Sequence, residues 1–234
     1  ENKTGKYFKY AIGEIVLVVI GILIALSINN WNNTNQQAKQ RDHLINMLVK
    51  DFERSLKAID TNLIYVNKSK NYGLFFNETI YNQKNYDLLD SLRNDFAISF
   101  FDREPLELIT TTYDNAMSTN QMNLIKDDEL LYLLSDFTNS LYHIKNYDEL
   151  ESRMFYEGSI WELSKQFGSL INFFEPYRNL DTESGKFISY LQNPLVSAML
   201  NSKYTLLANK EVYLEKIQSV SQQIISRLKY LKSN

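Results

Sequence analysis

The sequence predicts an all-α protein in which one N-terminal transmembrane helix is followed by an elongated antiparallel helical bundle. Three observations predict this class. An unbroken apolar run lies near the N-terminus, hydrophobic residues recur at helical spacing along most of the remaining chain, and only 7 Gly and 3 Pro occur in 234 residues. So few turn-forming residues favour long uninterrupted helices over a turn-rich β-sandwich.

Residues 11–30 form the predicted transmembrane helix. The run from Ile15 to Leu26 is IVLVVIGILIAL, and the stretch from Ala11 to Ile28 contains a single charge, on Glu14. About 18 residues at about 1.5 Å each span roughly 27 Å, close to the ~30 Å hydrocarbon core of a bilayer. The segment is therefore long enough to cross a membrane.

The basic residues beside this segment predict its orientation. Lys3, Lys6 and Lys9 precede it, whereas the next basic residue is Lys39. The positive-inside rule therefore places residues 1–10 in the cytoplasm and the helical-bundle domain, residues 31–234, on the other side. Aromatic residues suited to the two membrane interfaces flank the segment: Tyr7, Phe8 and Tyr10 on one side and Trp31 on the other.

A cleaved signal peptide is the competing interpretation of the same segment. Lysines, an apolar region and the small-residue pattern at Ala25-Leu26-Ser27 resemble a secretory signal and its cleavage site. The apolar run is long for a signal peptide, which favours a retained anchor. The absence of an initiating Met at Glu1 also leads us to expect further residues before it.

Four residues of the segment are candidates for contacts between membrane helices. Glu14 is ionisable, and such a group within a membrane helix often marks a proton path or a polar helix–helix contact. Its position about one turn from the cytoplasmic edge favours the alternative that it snorkels to the interface or pairs with a lysine. Gly13, Gly21 and Ala25 share one helix face, and Gly21-x-x-x-Ala25 is a small-xxx-small pair that lets another helix approach closely.

Two stretches resemble an uncharacterised family of small single-span inner-membrane proteins from Bacteroidota. They are KYFKYAIGEIVLVVIGILIALSINNWNN at residues 6–33 and TTYDNAMSTNQMNLIKDDELLYLLSDF at residues 111–137. The chain departs from the family's usual Ser-Gly pair before "NLI", since it has Ser118-Thr119-Asn120. The resemblance implies a helical domain anchored in a Gram-negative inner membrane, hence a periplasmic domain for residues 31–234. It implies no activity.

The remaining helices follow from periodicity and capping residues. Ile45, Phe52, Ile59 and Val66 recur every seven residues and predict a helix over residues 34–80, which can continue the membrane helix. Two shorter helices are predicted, at residues 86–96 and from Pro105 to about Met117, and residues 97–101 are a possible strand. A long helix is predicted from an N-cap at Asp127 to about residue 172, with possible breaks at Gly158 and Gly168. The last helix is predicted after Pro194. The apolar stripe after Asp127 includes Leu150 and Trp161. The stripes are wider than a coiled-coil seam, so packing within the chain is favoured over a coiled coil between chains.

An aromatic stretch connects the last two long helices. If the helix after Asp127 returns toward the membrane, residues 173–194 lie beside the bilayer. This stretch then forms a juxtamembrane collar that contacts lipid headgroups or a partner, and its members are Phe173, Phe174, Tyr177, Phe187 and Tyr190. The alternative, slightly favoured, is ordinary burial at the end of the bundle.

The sequence contains no arrangement of residues that predicts catalysis. There is no Cys, and the two histidines, His43 and His143, lack the spacing of metal ligands. Phosphate-binding glycine loops and a nucleophile-elbow Ser are also missing. With 25 basic and 28 acidic side chains the net charge is −3, which does not favour nucleic-acid binding. We therefore expect no enzymatic activity, cofactor or metal.

These patterns together predict a structural or accessory subunit of an inner-membrane complex. Its expected partners are membrane lipids and, through the transmembrane helix, further copies of the chain or other inner-membrane subunits. Two alternatives stay open. The first is a periplasmic sensor, which would need a partner to carry its signal inward because only about ten residues precede the membrane segment. The second is an ion-driven motor or transport subunit that uses Glu14.

Overall fold

The structure is a computed structural model that describes residues 3–82, 92, 95, 101–158, 161–163, 165 and 189–233, with side chains from Ile12 onward. The described residues contain helices and no β-strand, which confirms the all-α class. They form α1 (Lys3–Asn82), α2 (Thr111–Ser118), the short 3₁₀ helix η1 (Gln121–Leu124), α3 (Asp128–Tyr156) and α4 (Pro194–Ser233). The chain divides into two compact units, and α1 contributes to both.

Helix α1 is a single element of 80 residues. It passes without a break through the Asn-rich stretch near residue 30, so the apolar segment continues as one helix into the residues beyond it. Several side chains in α1 bond to the carbonyl four residues earlier, such as Ser27 to Leu23 and Thr34 to Asn30, which keeps these hydroxyls compatible with helix.

The buried positions of α1 beyond its apolar segment alternate at intervals of three and four residues. From Ile45 onward they are Ile45, Leu48, Phe52, Ser55, Ile59, Asn62, Val66, Ser69, Gly73, Phe76 and Ile80, and Leu44 beside Ile45 is also buried. The predicted seven-residue repeat of apolar residues is confirmed. The interleaved repeat contains Ser55, Asn62 and Ser69, each at most 2% exposed. Polar side chains at core positions require hydrogen-bond partners, and Ser55 and Asn62 find theirs in another part of the chain.

The predicted start of α3 is confirmed. Asp127 is extended, and its Oδ1 accepts a hydrogen bond from the Leu130 N–H at 2.8 Å. Asp128 and Glu129 in the first turn complement the positive end of the helix dipole. The helix ends at Tyr156, near the first of the two predicted breaks, and not at residue 172. A Cβ on Gly158 would lie 2.9 Å from the Met154 carbonyl oxygen, so the chain turns where no side chain is present.

Helix α4 begins at the predicted position. The side chain of Asn193 accepts from the Leu195 N–H at 3.0 Å, and its carbonyl accepts from the Val196 N–H at 2.9 Å. Pro194 occupies the first helical position, where its missing N–H is not needed.

In unit 2, residues 49–110 and 127–234, helices α1, α3 and α4 pack around one core. Helix α4 is antiparallel to both others, since Lys229 pairs with Glu53 near one end of the unit while Ser197 bonds to Asn77 near the other. Helix α3 is parallel to α1. The rings of Phe52 and Phe137 are 5.0 Å apart.

Because α3 runs parallel to α1, it does not return along α1, which is the condition on which residues 173–194 were predicted to lie beside the membrane. Tyr190, the one described member of the proposed collar, is 0% exposed. It belongs to a cluster with Phe76, Ile80 and Leu163, at the end of α1 remote in sequence from the apolar segment. The other four members of the collar, Phe173, Phe174, Tyr177 and Phe187, lie outside the described residues.

The prediction of a helix from Pro105 to about Met117 is wrong at its start. Residues 102–110, called here the extended segment, have no helical structure, and α2 begins only at Thr111. The backbone of this segment bonds to side chains of the surrounding helices, for example the Ile109 N–H to Ser55 Oγ at 3.2 Å. Those tertiary bonds replace the intrahelical bonds that the local sequence would otherwise form.

Unit 1 comprises residues 1–48 and 111–126. Helix α2 leads into η1 through Asn120, the residue with a positive φ of 57°. Asn tolerates the left-handed region better than most residues, so it suits this reversal. Ala116, Met122 and Ile125 are buried.

Candidate functional site

The apolar segment of α1 is exposed along its whole described length. Twelve large apolar side chains from Ile12 to Ile28 are 47–73% exposed. An 18-residue window of this helix has a mean hydropathy of 2.5 and none of it is buried. By length and composition, this helix of the described chain is therefore apolar enough to cross a membrane, although a signal sequence meets the same criteria. Its exposure distinguishes it from the core helix of a soluble domain.

The predicted contact residues of this segment lie on a continuous helix. Glu14, Gly21 and Ala25 are separated by seven and four residues, so they lie on one face, with Gly13 at its edge. A Cβ added at Gly13 or Gly21 would meet no atom within 4 Å. Trp31 is 68% exposed, as an interfacial anchor requires. The side chains of Tyr7, Phe8 and Tyr10 lie outside the described residues.

A cluster of buried and half-buried polar side chains in unit 2, called here the polar cluster, holds the extended segment. Its members are Asn62 and Tyr65 of α1, Asp148 and Glu151 of α3, and Lys203 and Lys210 of α4. Its amide, phenol and amine groups donate to the carbonyl groups of Asp102 and Glu104, and its two carboxylates pair with the lysines.

The first layer of the polar cluster surrounds the Glu104 carbonyl. Its oxygen accepts from Asn62 Nδ2 at 2.6 Å and from Lys210 Nζ at 2.9 Å. Lys210 is 0% exposed, and its Nζ lies 2.6 Å from Asp148 Oδ1. Asp148 Oδ2 in turn accepts from the Leu106 N–H at 3.1 Å. The carboxylate thus neutralises the lysine and binds the segment at once.

The second layer repeats this arrangement around the Asp102 carbonyl. That oxygen accepts from Tyr65 Oη and from Lys203 Nζ, both at 2.5 Å. Glu151, 4% exposed, lies 3.4 Å from Lys203 Nζ and 3.3 Å from Tyr65 Oη. Burial lowers the pKa of Lys203, while the charge of Glu151 opposes that shift. Burial, with the nearby Glu151 charge, raises the pKa of Tyr65, so its hydroxyl stays protonated as a donor.

The polar cluster can bind an extended backbone, but its amines are closed to a substrate. Lys210 is fully buried and Lys203 is 6% exposed. A nucleophilic or acid–base lysine must reach the reacting atom, and here each Nζ already donates to a carbonyl and is ion-paired with a carboxylate. We therefore interpret the cluster as the device that fixes the extended segment among three helices.

Sequence reasoning missed the polar cluster. It placed Leu150 and Trp161 on the buried stripe of α3, yet they are 48% and 57% exposed, and Glu151 is buried instead. One signal was present in the sequence: Lys203 and Lys210 are seven residues apart, in the same repeat as Ile217 and Ile224. Charged residues at consecutive core positions of one stripe call for buried partners.

Two clefts flank α1 in unit 1. The first, about 610 Å³, is lined by residues of α1, α2 and η1 that include Lys39, His43 and Met47. The second, about 450 Å³, is lined by Thr34, Gln37, Ala38, Arg41, Asn120, Asn123, Leu124 and Lys126. Neither set of described lining residues includes a carboxylate.

The histidines do not form a metal site in the described part of the chain. His43 lines the first cleft, and the His143 ring stacks on Tyr213 with centroids 4.4 Å apart. Among the described residues no group of three His, Asp or Glu side chains is placed to hold a metal ion.

Comparison with known proteins gives one match. Residues 14–92 match the family of unknown function DUF6090, which covers about a third of the chain. The matched region begins at Glu14 and includes all of α1 beyond it. No curated protein and no solved structure matches the chain.

Proposed function

We propose that this chain is a non-enzymatic, single-span protein of the inner membrane that acts as a structural or accessory subunit of a membrane complex. One observation supports the proposal above the others: an apolar helical segment of bilayer length is fully exposed and continues, as one helix, into the packed domain. Exposed apolar surface of this extent requires a cover, and lipid or other membrane helices provide it.

The proposed orientation has residues 1–10 in the cytoplasm and the helical domain in the periplasm. The asymmetry of the lysines supports it. Because the native chain contains no Cys, single-Cys variants can be labelled without background. We expect Gln36→Cys to react with a membrane-impermeant maleimide in cells with a permeabilised outer membrane, and Thr4→Cys to react only after lysis. The reverse pattern would refute the orientation.

Retention of the segment is tested by mass and extraction. An anchored chain stays in the pellet after alkaline carbonate extraction and contains residues 1–27. A chain released by carbonate, with an intact mass that starts after Ser27, would show a signal peptide and refute the anchor.

The subunit role rests on the face that contains Glu14, Gly21 and Ala25. Small residues allow backbones to approach closely, and the space beside Gly21 is open within this chain. We expect Gly21→Cys to form a disulfide in oxidised native membranes, with a second copy or with a foreign chain identifiable by mass spectrometry. Leu23→Cys, on the opposite face of the same segment, is the comparison variant. Equal cross-linking at both positions would indicate random collision and refute a specific contact.

A further inference from the structure

We propose that the second cleft of unit 1, lined by Thr34, Gln37, Arg41, Asn120, Asn123 and Lys126, binds the phosphodiester headgroup of an anionic membrane lipid. The inference rests on the proposed membrane anchoring and adds the ligand class that unit 1 takes. The volume of the second cleft, about 450 Å³, lies within the usual range for small-molecule sites, about 300–1,000 Å³.

The charges of the cleft select for an anion. Lys126 is exposed and makes no ion pair with any described residue. Arg41 contributes a second cation, shared with Asp42 through bonds of 3.1 and 3.2 Å to one carboxylate oxygen. Since none of the described lining residues is acidic, a phosphate entering the cleft meets cations and no opposing carboxylate within its walls.

The uncharged part of the lining fits the remainder of a headgroup. The amides of Gln37, Asn120 and Asn123 and the hydroxyl of Thr34 provide donors and acceptors for glycerol-type hydroxyl groups. The apolar lining is small, limited to Ala38 and Leu124. The chemistry matches a polar headgroup and leaves the acyl chains outside.

The position of the cleft along α1 favours a lipid over a free anion. Thr34 lies three residues beyond Trp31, or about 4.5 Å along the helix, and Arg41 about 15 Å beyond it. Each headgroup layer is about 5–8 Å thick. Side chains of α1 lean toward its N-terminus, and hence toward the proposed membrane. The rim of the cleft at Thr34 is therefore at headgroup height, and Arg41, which lies beyond that layer, must extend its side chain toward the membrane to meet a phosphate.

The test compares two lysines on the same unit. The probe is dioleoyl phosphatidylglycerol, titrated into the detergent-solubilised full chain and counted as bound adducts by native mass spectrometry, with dioleoyl phosphatidylcholine as the neutral lipid. We expect the wild type to prefer phosphatidylglycerol. Lys126→Gln is expected to weaken the binding of phosphatidylglycerol about fivefold, which corresponds to about 1 kcal/mol for one lysine near an anionic surface. Lys126→Arg is expected to retain binding.

Lys39→Gln is the matched control, because Lys39 lines the other cleft and makes no ion pair among the described residues. If it weakens binding as much as Lys126→Gln does, general attraction to the surface explains the preference and the site is refuted. No preference for phosphatidylglycerol in the wild type also refutes it. Free sn-glycerol 3-phosphate is expected to compete poorly; if it binds as tightly as the lipid, the site takes a soluble anion and the lipid assignment is wrong.

Carbonate extraction of each variant separates this proposal from the proposed function. Loss of the lipid preference in a chain that stays in the membrane bears on the cleft alone. A wild-type chain released from the membrane would refute the anchor, whatever the adducts show.

Discussion

Replacing Lys210 by Met tests whether the polar cluster stabilises the fold. The substitution keeps an unbranched side chain of similar length at a position that is 0% exposed, and it removes the cation 2.6 Å from Asp148 Oδ1. Asp148, with its side chain 13% exposed, is then left as a nearly buried carboxylate without its partner. Breaking a buried ion pair in this way costs about 3–5 kcal/mol.

The bonds that remain set the magnitude within that range. The Glu104 carbonyl still accepts from Asn62 at 2.6 Å, and Asp148 still accepts from the Leu106 N–H, so neither backbone group is left without a partner. The loss is therefore mainly the desolvated charge of Asp148, and we expect about 3–4 kcal/mol. Small domains have about 5–15 kcal/mol of stability in all, so this loss is a large part of it.

The assay is urea unfolding of the full chain in mild detergent, followed by circular dichroism at 222 nm, with the shift in midpoint taken at constant slope. Lys216→Met is the matched control: its Nζ is 3.4 Å from Asp136, but the two side chains are 43% and 57% exposed. Such a surface pair contributes below about 1 kcal/mol. If Lys210→Met costs no more than Lys216→Met, the reasoning about the polar cluster is wrong.

A second variant separates charge from packing. In Lys210→Met/Asp148→Asn the buried charge is absent, while the Asn oxygen can still accept from the Leu106 N–H. We expect part of the stability to return, leaving a cost of about 1–3 kcal/mol for the amide group that lacks an acceptor. A double variant as unstable as the single one would show that lost packing around Lys210, not the unpaired carboxylate, causes the effect.

Three further predictions concern other parts of the chain. The Arg227 guanidinium lowers the pKa of Asp127, so this pair stabilises the fold above the unfolded pKa of about 3.9, and the stabilisation is lost as the pH falls through the lower folded pKa. The urea midpoint of the wild type should therefore fall more in acid than that of Asp127→Asn. Parallel pH profiles would contradict this. Gly73→Ala places a methyl group in open space beside α1 and should raise the free energy of unfolding by up to about 1 kcal/mol. Gly158→Ala should lower it, because its Cβ would lie 2.9 Å from a carbonyl oxygen. Thermal unfolding of both variants measures the difference, and shifts of the same sign would contradict the geometry. Glu14→Gln should reduce co-purification of partners if Glu14 is a docking residue; intact assembly with lost function would instead indicate a motor role, and no change would indicate a snorkelling residue.

The order of the elements could be predicted from sequence because it depends on local patterns. The apolar run ending at Leu26, the seven-residue repeat from Ile45 and the N-cap at Asp127 each reflect interactions within about one helical turn, or an apolar face that any partner would bury. The direction in which α3 packs on α1 leaves no such local trace, since the same apolar stripe is buried in either direction. For this reason the sequence left two alternatives for Tyr190, and its burial agrees with the slightly favoured one.

The sequence by itself determined the three long helices, their main apolar faces and an apolar segment of bilayer length. Only the tertiary structure decided that the residues around Pro105 are not helical, and that Lys203, Lys210 and Glu151 are buried. The physical reason is the same in both cases. A charged side chain can be buried here because another element provides the opposite charge. The backbone of residues 102–110 can be non-helical because side chains of several helices bond to its N–H and C=O groups. Those partners are up to about a hundred residues away in sequence, from Glu104 to Lys210.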